Sequence, residues 1–158
     1  MMSKSSAARL SEPTLTPSAS ACGAADSLMR ASAECVHQHE RLGRALELAC
    51  SDGELQHVAK CTALAHTQLE ATTAAYDKTA TAAPEAKDQA WWHAANGLWN
   101  ASNRFLQRTA GTDNVSRLAG KHSKEKLAEL AMEYELERSA LLALKHAVEE
   151  FGDVRTAK

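Results

Sequence analysis

Two polar residues stand where an apolar helix face should run unbroken. His39 lies in the middle of a stripe formed by Leu28, Cys35, Leu42, Leu46 and Ala49 at steps of three and four residues. Glu137 interrupts a second stripe, made of Leu127, Leu130, Tyr134, Leu141, Leu144, Val148 and Phe151. An imidazole and a carboxylate that meet inside a bundle form a charge-assisted pair. The carboxylate raises the histidine pKa and keeps the ring cationic, and the cation lowers that of the carboxyl. His66 falls at the core edge of another helix, and Cys35 is one turn from His39. Imidazole, carboxylate and thiolate donors together suit zinc, copper or iron, so the metal set to test is His39, Glu137, His66 and Cys35. Its ligands would come from three helices with no short spacing to tie them. The plainer expectation is a polar layer that fixes helix register and needs no cofactor. An acid–base use of His39 and Glu137 in a small catalytic bundle is a third possibility.

Other motifs are sparse. Glu34–His37 and Glu54–His57 have the E-x-x-H spacing of carboxylate-bridged di-metal bundles. The first pair points away from its helix core face, and the second begins at a loop, so both read as coincidence. Cys22, Cys35, Cys50 and Cys61 form no CxxC or zinc-finger spacing, and in a hairpin turning near Asp52 no two of them face each other. Free thiols in a reducing compartment follow. No Ser–His–Asp arrangement, phosphate-binding glycine loop or basic patch interleaved with aromatics is present, which argues against nucleotide chemistry and nucleic-acid binding.

Two surfaces look suited to contact. Gln89, His93, Asn96, Asn100, Asn103 and Gln107 recur at steps of four and three, forming an uncharged amide row opposite Trp91, Trp92 and Trp99. A solvated helix face normally carries charge, and asparagine is a poor helix former, so the row reads as a recognition face able to hydrogen-bond a partner. Trp91 and Trp92 lie about 100° apart on a helix, so one of them should remain partly exposed. Behind the core stripe of the last helix runs a second apolar strip, Met132, Leu136, Ala143 and Ala147. A two-sided helix is expected where something further packs. The partner-binding residues expected are thus Asn96, Asn100, Asn103, Gln107, Met132 and Leu136.

The elements that must hold these residues follow from periodicity and caps. Residues 1–22 are rich in Ser, Thr and Pro without a period and predict a disordered tail. A first helix spans about 24–50. Ser51 and Glu54 have capping-box spacing and start a second helix after a tight turn, with Leu55, Val58, Thr62, Ala65, Leu69 and Tyr76 on its apolar face. Pro84 ends that helix and can open a third, which runs to about Ala110 before Gly111, with Trp91, Trp92, Ala95, Leu98, Trp99, Phe105 and Leu106 on its apolar arc. Residues 111–122 form the one long link. Ser123 caps a fourth helix that ends at Phe151 before Gly152. The expected fold is all-α: an antiparallel up-down-up-down four-helix bundle over 23–152, with tails at 1–22 and 153–158.

The totals bound the function. The chain has 158 residues and a formal net charge of −2, which gives no field for nucleic acid or anionic lipid. No apolar run approaches membrane length, and the N-terminus lacks the apolar core of a secretory signal, so a cytoplasmic protein is expected. Alanine is the commonest residue and isoleucine is absent, which makes a thin core. Together these point to a non-enzymatic interaction module, an adaptor, chaperone-like or regulatory bundle that binds another protein or itself. The alternative is a metal-binding or redox bundle built around His39.

Overall fold

The computed structural model describes residues 19–48, 51–80, 90–109 and 123–156. They form four helices and, among the described residues, no strand: α1 Ala19–Glu47, α2 Asp52–Ala80, α3 Ala90–Thr109 and α4 Lys124–Thr156. The expected bundle is present. α1 packs on α2 and α4, and α3 packs on the same two, while the α1–α3 diagonal is closer than the α2–α4 diagonal. Ion pairs Asp26–Arg155 (2.8 Å) and Glu40–Lys145 (2.8 Å) run down the α1–α4 seam and fix it as antiparallel.

Local chemistry explains the ends. The Ser51 hydroxyl accepts from the Glu54 amide (3.2 Å), and the Glu54 carboxylate reaches back to the Ser51 amide (3.4 Å), so the capping box forms. Asp52 and Glu54 in the first turn of α2 also favour the positive end of the helix dipole. Ser123 caps α4 by accepting from the Lys126 amide (3.1 Å).

Several boundaries differ from expectation. α1 begins at Ala19, and Ala21 is only 1% exposed, so residues 19–22 belong to the bundle rather than to the tail. Residues 1–18 lie outside the described residues, as do Cys50, the Pro84 start of the third helix, Gln89 and the 111–122 link. α4 does not stop at Gly152 but runs on to Thr156, so residues 153–156 are helix and not a C-terminal tail. A mid-helix glycine costs only about 1 kcal/mol relative to alanine. Here Phe151 is fully buried, Val154 packs on the core and Arg155 pairs with Asp26 around that position.

The core has two main parts of unequal size and a small end cluster of Ala21 and Trp92. The larger draws on all four helices: Leu28, Cys35, Leu69, Tyr76, Leu98, Phe105, Leu144 and Phe151 are 0–1% exposed within it. Among the described residues the smaller contains Leu42, Leu46, Leu55, Val58 and Leu130, from α1, α2 and α4. Among the described residues α3 has 20 residues against 29, 29 and 33 for its neighbours. At 1.5 Å per residue it is shorter than α2 by about 14 Å. In the smaller part the Tyr134 ring lies against Gly43 so closely that a Cβ there would overlap it, which is the close approach that glycine permits.

Candidate functional site: a buried histidine pair and two outer faces

At the junction of the two core parts, His39 of α1 and His66 of α2 meet. Their Nε2 atoms are 2.7 Å apart, a hydrogen bond in which one ring donates and the other accepts. The rings are stacked at 4.9 Å between centroids, 18° from parallel. Phe105 of α3 closes the site with its edge, 4.7 Å from His39 and 5.4 Å from His66. The histidines are 1% and 4% exposed. α1 and α2 place them because each belongs to an inward arc, His39 with Cys35 and Leu42, and His66 with Thr62, Leu69 and Thr73.

This overturns the expected electrostatics. His39 was expected to be cationic beside Glu137, with a raised pKa. Instead burial pushes it down to about 3, helped by the nearby His66, and burial pushes His66 down to about 4. Both rings are neutral at pH 7. The difference arises because the partner of His39 is a second imidazole rather than a carboxylate, while Glu137 is only half-buried and makes interactions of its own. Cys35 is fully buried, and burial with the Glu34 charge pushes its thiol up to about 12, so it is a packing group and not a thiolate. The four-residue metal set does not assemble. Among the described residues no three of His, Cys, Asp or Glu are gathered as a metal site. His39 and His66 converge, and Glu137 and Cys35 do not join them.

Smaller polar ties run through the same core. The Ser102 hydroxyl donates to the Leu98 carbonyl (2.8 Å) and lies 3.1 Å from the Ser32 hydroxyl, so Ser32 is the donor between the two. The Trp99 indole N–H donates to the Thr73 carbonyl (3.2 Å), and the Tyr76 hydroxyl donates to Asn96 Oδ1 (2.9 Å). The last contact divides the amide row. Asn96 is half-buried and turned to α2, so it is a structural residue and not part of a free recognition face. Asn103 lines a shallow hollow between α2 and α3 with Trp99, Leu106 and Glu70. Only Asn100 and Gln107 of the expected binding residues on α3 are exposed. The heptad-like steps of the row drift around the helix, which brings part of it against α2. Trp92 is buried and Trp91 half-buried, as their 100° separation requires.

The outer strip of α4 is in place. Met132 is 68% and Leu136 70% exposed, and Ala143 is exposed beside them. Ala147, expected in the same strip, is instead buried against the core. Leu142, 49% exposed, borders an open groove of about 470 Å³ between α1 and α4, walled by Leu46, Tyr134 and Leu141 and rimmed by charged residues. No helix among the described residues is long and apolar enough to cross a membrane.

The sequence groups His39 with His66 as candidate ligands, but their direct hydrogen bond, the Phe105 wall, the Ser32–Ser102 tie and the Gly43–Tyr134 approach were not anticipated from it. The first had a signal: counting outward from the Ser51 turn puts His39 and His66 at nearly the same level of the hairpin. No protein-family model matches the chain, and no curated protein or solved structure resembles it at a significant level.

Proposed function

We propose that the chain is a non-enzymatic interaction module whose docking surface is the outer face of α4 over residues 128–143. The observation that supports it is the exposure of Met132 and Leu136 on a helix that already buries an opposite stripe. Exposed apolar side chains of this size one turn apart form the kind of patch that marks an interaction site. The flanks carry Glu125, Glu129, Glu133 and Glu135 against Lys124, Lys126 and Arg138. The occupant that fits is an amphipathic helix with an apolar seam and basic flanks, laid along this face of α4.

The test is binding of a fluorescent helical peptide with leucines at i, i+4 and i+7 and lysines on either side. An otherwise identical peptide with glutamates is the control. The lysine peptide should bind, and Met132→Ser/Leu136→Ser should weaken it at least tenfold with the fold intact. Equal binding of both peptides, or binding indifferent to the substitutions, would remove this reading. Sedimentation of the chain alone tells whether a second copy occupies the same face.

A further inference from the structure

We propose that the His39–His66 contact is an acid-operated lock, in which one shared proton position clamps α1 to α2 and protonation of both rings drives the helices apart. Two Nε2 atoms 2.7 Å apart accommodate a single hydrogen between them. If both nitrogens carry protons, two N–H donors point head to head and two cations stack at 4.9 Å. Little room exists for the rings to turn away: Phe105 stands against both, and each is at least nine-tenths buried.

The groups around the pair give limited compensation. On α1 the Cys35 thiol lies one turn away and burial keeps it neutral, and Glu40, the next residue after His39, is engaged by Lys145. α2 contributes the Thr62 hydroxyl, which donates to the Val58 carbonyl (2.8 Å). α3 contributes the Phe105 ring and, beyond it, the serine pair. α4 contributes the half-buried Glu133 and Glu137, each engaged in interactions of its own; Glu137 is the carboxylate whose removal tests for an offsetting charge.

Linkage then sets the direction. Both folded pKa values lie below the ordinary histidine value of 6.5, at about 3 and about 4. The contribution of the pair to stability is therefore complete above the unfolded pKa. It is lost as pH falls from there toward the folded values, because the open chain binds protons that the closed bundle refuses. The lock sits where the four-helix part meets the three-helix part, so releasing it separates the α1–α2 hairpin at mid-length and uncovers Cys35. The bundle is closed at neutral pH and opens in an acidic compartment.

The experiment is an acid titration of the full chain, followed by tryptophan fluorescence and by labelling of Cys35 with a pyridyl disulfide, mapped by mass spectrometry. The wild type should open between about pH 6 and pH 4 with uptake of about two protons, and Cys35 should become reactive in the same window. His39→Leu/His66→Leu should move the midpoint down by at least one pH unit. His66→Gln, which keeps a neutral hydrogen bond to His39 with one titrating ring fewer, should fall between the two and covers the case in which the double variant does not fold. Unchanged midpoints in these variants, or imidazole resonances of both histidines titrating near pH 6.5 in the closed bundle, would overturn the lock. So would a transition that Glu137→Gln abolishes while the histidine variants leave it in place.

Discussion

The two ends of this bundle solve the same packing problem differently. Where all four helices run together, aromatic side chains fill the core: Trp92, Tyr76, Phe105 and Phe151 are all 0–2% exposed. Past Thr109 of α3, the core is aliphatic among the described residues, and its aromatic contribution there is Tyr134, half-buried and laid over Gly43. Of the exposed large apolar side chains, Leu48, Met132 and Leu136 lie at this thinner end or along its margin, while Leu64, two residues from His66, and Leu142, next to Leu141 of the larger cluster, lie nearer mid-length. Large rings bury far more area per residue than alanine or valine, so stability concentrates in one part. The other is left with surface available for binding.

The sharpest way to break that comparison is to cut a cavity in each part. Phe105→Ala should cost about 3–5 kcal/mol in urea unfolding, because four helices hold the cavity open and the histidine pair loses its wall. Leu55→Ala in the three-helix part, although Leu55 is just as buried, should cost about 2–3 kcal/mol, at the low end for such changes, because that end can collapse or admit water. Equal costs would show the two parts to be equally tight.

A sign reversal sharpens the account of the thinner end. Gly43→Ala should destabilise by about 1 kcal/mol, since the added methyl evicts the Tyr134 ring and that loss outweighs the gain in helix propensity. In a Tyr134→Ala background the same change should stabilise by up to about 1 kcal/mol. A double-mutant cycle by thermal unfolding reads the difference, and additivity would mean the ring does not rest on Gly43.

The smallest effect is expected outside the core. Leu136→Ser should alter stability by less than about 0.5 kcal/mol in the isolated chain, as a surface change. A cost of several kcal/mol at low protein concentration would show that Leu136 is buried by something the bundle itself supplies.

Periodicity made much of this architecture legible. Every residue of the expected α2 face, from Leu55 through Tyr76, is buried, and both serine caps form where spacing put them. Boundaries were harder. Gly152 looks like a stop, but tertiary contacts from Phe151, Val154 and Arg155 carry the helix past it. The polar core was half legible. His39 was identifiable as an inward residue, yet its partner depends on the rotation and level of α2 against α1, and a wheel of one helix does not contain that information. For the same reason Asn96 looked like surface and Ser32 and Ser102 were passed over. A short polar side chain is read as exposed until the neighbouring helix is known to supply its hydrogen bond.

Native-state hydrogen exchange along α2 tests the division between the parts most directly, because one continuous helix spans both. Amides at residues 65–76, facing the four-helix core, should exchange only through global unfolding. Those at 55–62 should exchange through a partial opening lower in free energy by on the order of 2 kcal/mol and less sensitive to urea. Uniform protection from Leu55 to Tyr76, with a single urea dependence, would contradict the account.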